Sequence, residues 1–256
     1  MYAPNVGPYP PKRRRFTAGK VILVLLLLLI LLVLAALAAT GVVPGLSKVF
    51  GADKPRDLGV RPTQADAGAV VKRMGYKLDN QPTATKPSDY RQAYSGKVNL
   101  DQDFSQAEIS ALLTYNHVSW WLLQDVQVKI HPDGVVEASL RLDTTGINWT
   151  PDGDVPTGIM RYLPAVMPDE LPLYMKGTMF ATGPKTVRMD FQALQIGRVP
   201  VPASVLQDNE GRANKYVNDR IAGITGLNIQ ELSFKDGKVH FKGTYPQEFK
   251  RLPIKP

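Results

Sequence analysis

The sequence predicts an α+β fold, a curved antiparallel sheet wrapped along helices, preceded by one N-terminal transmembrane helix. Three observations carry that prediction. The stretches "DVQVKIHPDGVVEASLRL" (Asp125–Leu142) and "ELSFKDGKVHFKG" (Glu231–Gly243) alternate apolar and polar residues on either side of an Asp-Gly turn. That is the pattern of a β-hairpin with one buried face. Each hairpin also follows a segment with helical signals. Finally, "VILVLLLLLILLVLAALAA" (Val21–Ala39) runs nineteen residues without a charge. At about 1.5 Å per residue such a helix is long enough to cross a ~30 Å hydrocarbon core.

A helix buried in a soluble core rarely lacks a polar side altogether, and this one shows none. The basic cluster Lys12–Arg15 precedes it, which places the N-terminus in the cytoplasm and the rest of the chain outside. A cleaved signal peptide is the alternative, since "AALAAT" offers small residues suited to cleavage. Signal h-regions, however, are shorter, about 7–15 residues. Either way residues 41–256 leave the cytoplasm. The chain divides into a basic, Pro-rich cytoplasmic tail (1–20), the anchor (21–40), a linker (41–54) and an extracytoplasmic α+β domain (55–256).

The net charge of +8 is concentrated at the N-terminus: Lys12, Arg13, Arg14, Arg15 and Lys20 stand there without an acid. Removing those five from 31 leaves 26 basic against 23 acidic residues over 41–256. No basic stripe with interleaved aromatics appears, so nucleic acid is not an expected partner. The absence of cysteine removes disulfides, thiolate metal sites and thiol nucleophiles.

Along the domain, Thr63 with Asp66 has capping-box spacing, Val70, Val71 and Met74 form an apolar face, and Gly75 can close the helix. The polar, Pro-containing stretch from Tyr76 to Asp89 reads as a loop. A short strand near residue 98 leads to Ser105, which caps a second helix with Glu108 three residues on; Ile109, Leu112 and Leu113 share one face. In the first hairpin Val126, Val128 and Ile130 point one way, and Val136, Ala138, Leu140 and Leu142 continue the pattern after the turn. A further hairpin is expected over Leu171–Leu194, where Leu173, Met175 and Met179 are answered by Val187, Met189 and Phe191. A long helix through Ile224 follows, its intermittent apolar face made by Val205, Leu206, Ala213, Val217, Ile221 and Ile224 and weakened by Gly211.

Motifs of catalysis and metal binding are missing. His117, His131 and His240 lack metal-ligand spacing, and no G-x-S-x-G elbow exists. "TGPKT" at 182–186 reads as a hairpin turn rather than a phosphate loop. Asp152 and Asp154 lack the spacing of a calcium loop, and "NWT" (Asn148–Thr150) matches a glycosylation sequon. No enzyme, metal or cofactor is therefore expected.

What remains is apolar. Trp120 and Trp121 suit either core packing or a lipid interface. Met160, Leu163 and Met167 lie in a stretch where Pro164, Pro168 and Pro172 forbid regular helix. That stretch reads either as an irregular loop on the core or as an adaptable apolar rim, a role that unbranched methionine suits.

The order of an N-terminal anchor, "PRDLGVRPTQAD", "FSQAEISALL", "VQVKIHPDGVVEAS", "LQIGRVPVPASVL" and "ELSFKDGKVHFKG" resembles the small membrane-anchored bacterial proteins of the YpmS type. That group is similar to the tubular lipid-binding (TULIP, BPI-like) superfamily. The resemblance spans roughly residues 55–245 and rests on strand, turn and helix patterns. It implies a long, curved sheet around helices with an apolar groove for acyl chains, and no catalytic residues. The expected function is lipid or apolar-ligand binding beside the bilayer, for lipid transfer or envelope maintenance. The alternative is a non-enzymatic assembly protein with a closed core and an envelope protein partner. The groove is expected to be one elongated cavity bordered by both helices, with Ile109, Leu112, Leu113, Trp120, Trp121, Met160, Leu163, Met167, Val217, Ile221 and Ile224 as its candidate lining.

Overall fold

The computed structural model describes residues 28–32, 51–78, 90–115, 123–145 and 168–253. Of the predicted anchor, Leu28–Leu32 are helical and largely exposed; the remainder lies outside the described residues. No helix among the described residues is long and apolar enough to cross a membrane.

The described chain is α+β with antiparallel sheets and few helices. Beyond the helical residues 28–32, its helices are α1 (Gln64–Met74), α2 (Gln106–Thr114) and α3 (Ala203–Ala222). The strands fall into three sheets. The largest runs β4 (Leu123–Ile130), β5 (Val136–Asp143), β6 (Glu170–Gly183), β7 (Thr186–Ile196) and β8 (Val199–Pro200) in spatial order. The second places β10 (Lys238–Tyr245) between β3 (Val98–Ser105) and β9 (Asn228–Lys235). In the third, β11 (Glu248–Pro253) pairs in parallel with β1 (Lys77–Leu78) and antiparallel with β2 (Tyr90–Ser95). The third sheet was not expected. Its first strand falls in the predicted loop from Tyr76, and β1 is too short for alternation to reveal it.

Local chemistry sets the helix starts. Thr63 accepts from the Asp66 N–H while the Asp66 carboxylate accepts from the Thr63 N–H, and Ser105 and Glu108 repeat the exchange. Gly75 closes α1 in the left-handed conformation. Both Asp-Gly turns form as expected. Asp236 and Gly237 have φ of 48° and 76°, as a two-residue type I′ turn requires. Gly134 has φ of 84° in the looser His131–Val135 turn.

In both helix–hairpin units the helix packs apolar residues on the strands and also bonds to a strand edge. Gln106, Ser110 and Thr114, spaced four apart on α2, accept from the backbone N–H groups of Ile130, Val128 and Val126 at 3.1, 2.8 and 3.1 Å. These N–H groups lie on the outer edge of β4, where no strand among the described residues pairs. On α3, the amides of Asn214 and Asn218 accept from and donate to the backbone of Met189 and Val187 at 2.8–2.9 Å. Each helix thus supplies the ladder that a neighbouring strand would have made. The geometry permits it, because four helical residues rise about 6 Å and two strand residues about 6.6–6.8 Å.

The opposite face of the large sheet carries the chain that emerges from the linker. Ala52 is fully buried, the Leu58 N–H donates to the Gln127 side chain at 2.8 Å, and Arg56 lies 4.3 Å over the Tyr174 ring. The packed body therefore begins by Gly51, inside the segment expected to be linker.

Candidate functional site

The large sheet and the β9–β10 hairpin turn apolar faces toward each other. Val126, Val128, Ile130, Leu140 and Val239 form the buried centre, with Ile109 and Leu113 of α2 packed against it. The closure is incomplete. Between these faces lies a cavity of about 360 Å³. Its walls are α2 (Ile109, Leu113), the hairpin β4–β5 (Val128, Val136, Ala138), the hairpin β6–β7 (Met175, Met179, Met189, Phe191) and the hairpin β9–β10 (Leu232, Phe234, Val239).

A bulge shapes one side. Lys176 pairs with Ala193 but Gly177 with Phe191, so β7 carries one extra residue there. That residue flips the parity of β7, and both Leu194 and Phe191 thereby belong to the inward set. The same bend brings the β7 backbone against Gly177, where a Cβ would collide with the Asp190 carbonyl oxygen. Only glycine fits. Lys176, Thr178 and Asp190 border this bend, yet the accessible wall of the cavity is wholly apolar.

Charged groups stand on outer faces instead. Glu137 contacts His131 Nε2 at 2.6 Å and accepts from the Tyr174 hydroxyl at 2.9 Å. Burial pushes its carboxyl upward, but the hydrogen bonds from His131 and Tyr174 prevail and hold it below the usual glutamate range. His240 lies 2.9 Å from Asp103 on the outer face of the second sheet. Among the described residues no group of His, Asp and Glu could hold a metal ion. The cavity can retain a ligand by apolar burial and shape; Lys176, Thr178 and Asp190 are the polar residues at its border.

Of the residues expected to line a groove, Ile109 and Leu113 do line this cavity. Leu112 is half-buried and belongs to neither apolar cluster. Val217, Ile221 and Ile224 pack instead on a second cluster centred on Val187, Leu227 and Ile229. The expectation of one cavity bordered by both helices is therefore corrected. The asparagine ladder fixes α3 along the β7 edge, so its apolar side meets the far end of the β6–β7 hairpin. Trp120, Trp121, Met160, Leu163 and Met167 lie outside the described residues. Sequence reasoning favoured helix residues and passed over the inward hairpin positions Met175, Met179, Met189, Leu232 and Phe234. Their alternation was visible; which two hairpins would face each other was not.

No protein-family model matches the chain, and no curated protein matches it significantly. Fold and site together define a class: an α+β protein of antiparallel sheets with an apolar cavity between two of them.

Proposed function

We propose that the protein is a single-pass, membrane-anchored, extracytoplasmic binder of lipid, which takes an alkyl chain into the cavity and works by sequestration or transfer rather than by catalysis. A TULIP-like architecture, with sheets curved around helices, belongs to the same reading. The observation that carries it is a wholly apolar cavity of about 360 Å³, in a domain preceded by a segment with the length and composition of a membrane anchor. The volume sits at the small end of the ~300–1,000 Å³ typical of ligand sites. That is room for one chain and not for a whole two-chain lipid. The headgroup stays outside. Each buried methylene contributes about 0.8 kcal/mol, so eight would give about 6 kcal/mol before the costs of association.

The test is mass spectrometry of molecules that co-purify with the full-length protein, beside a Leu113→Trp variant whose indole fills the cavity. The expected result is an alkyl amphiphile in the parent, depleted in the variant, with thermal stability kept. A parent free of amphiphile, and a variant that melts early because its core is overpacked, would point instead to an envelope assembly protein with a closed core.

A further inference from the structure

The cavity and the second apolar cluster are neighbours that do not merge, and the residues between them can be named. On the hairpin β9–β10, Phe234 pairs with Val239 and both belong to the first cluster. The next inward pair, Leu232 with Phe241, crosses the border: Phe241 packs on the second cluster, and Leu232 packs on both. On the hairpin β6–β7 the border falls at the pair Met179–Met189. Met189 lines the cavity, while Met179 lines it and also packs on the second cluster. Beyond the border stand Val217 and Ile221 of α3, which do not touch the cavity. β6 and β9 are in contact, and Met179 of β6 and Leu232 of β9 both line the cavity and pack on the second cluster.

From this coincidence we propose that Leu232, backed by Met179, is the partition that sets how long an alkyl chain the cavity accepts. The inference rests on the alkyl-binding reading and adds its specificity determinant. In this reading Leu232 separates the cavity from the second cluster, whose side chains behind it are apolar. Shortening this side chain joins the cavity to the flank of the second cluster, so a longer chain fits along the line from Ile109 toward Ile221. A larger side chain shortens the site. Met179, unbranched and adaptable, moves with either change.

The experiment uses the full chain in lipid nanodiscs, with ¹³C-methyl methionine and n-alcohols from hexanol to dodecanol as probes, compared at equal activity in the bilayer. The Met179 and Met189 methyl signals are assigned by single Met→Leu changes. In the parent, apparent affinity is expected to rise with chain length to an optimum and then fall. Leu232→Ala should move that optimum about three carbons longer, the number of heavy atoms the substitution deletes, and Leu232→Phe should move it shorter. Leu232→Met, which keeps the bulk, should leave it in place. Leu232→Val serves as the milder lengthening variant if the alanine form fails to fold. A common optimum in all variants overturns the partition while leaving alkyl binding intact. Silent methionines in the parent at every chain length overturn alkyl binding itself, and the partition with it.

Discussion

At Gly177 an added Cβ would run into the Asp190 carbonyl oxygen on the neighbouring strand. Backbone is the obstacle, and backbone in a sheet yields only by breaking its ladder. Gly211 is the opposite case. It lies in the exposed interior of α3, and a Cβ there meets nothing within 4 Å. The same chemical change should therefore have opposite signs. Gly177→Ala is expected to lower stability by about 1–3 kcal/mol through overpacking, and Gly211→Ala to raise it by about 0.5–1 kcal/mol through helix propensity. Thermal melts of the two variants check this, and a Gly177→Ala protein that melts like the parent would remove the bulge argument. The sequence shows both glycines alike; only the strand facing Gly177 tells them apart.

Among the elements, the helices are most informative where they are polar. Isolated edge strands invite pairing with other chains, and here β4 and the distal half of β7 are covered by helices whose side chains complete the ladder. Ser110 is fully buried and accepts from the Val128 N–H. Ser110→Ala leaves that N–H without a partner, at an expected cost of about 1–3 kcal/mol. Amide hydrogen exchange at Val128 should accelerate selectively, while the paired interior of β5 stays protected. Uniform acceleration across the sheet would mean global loosening instead. The signal was present in the sequence as Gln106, Ser110 and Thr114 at intervals of four, beside the apolar pair Ile109 and Leu113. Capping logic explained the start of that helix, and apolar periodicity explained one face. A polar stripe with the same period reads as solvent-facing unless a strand edge is known to lie against it.

For the molecule as a whole, the asymmetry of charge around Val21–Ala39 predicts which side of a membrane the domain occupies. A reporter active only in the cytoplasm, fused after Pro256, is expected to be silent. Strong activity there would reverse the orientation and move the proposed ligand source to the inner leaflet. The packed domain begins soon after the apolar segment, since Ala52 is already buried and Arg198 donates to the Gly51 carbonyl at 3.0 Å. No more than the ten residues 41–50 separate segment 21–40 from that packed corner, a reach of about 35 Å at full extension. If segment 21–40 spans a membrane as proposed, the cavity would lie close to the bilayer surface.

By itself the sequence determined what short-range chemistry controls. Both capping boxes, the Asp-Gly turns, the alternation of three hairpins and the α+β class follow from residues a few positions apart, where side chain and backbone answer each other directly. The tertiary structure decided what depends on residues far apart in the chain. It paired β10 with β3, set the β9–β10 hairpin against the large sheet, and joined β1 with β11. It also carried α3 to the edge of β7, which removed Val217, Ile221 and Ile224 from the cavity and left Met175, Met189 and Leu232 to line it. Alternation fixes which side chains of a strand share a face. What that face meets is settled by packing among distant segments, and no local pattern encodes it.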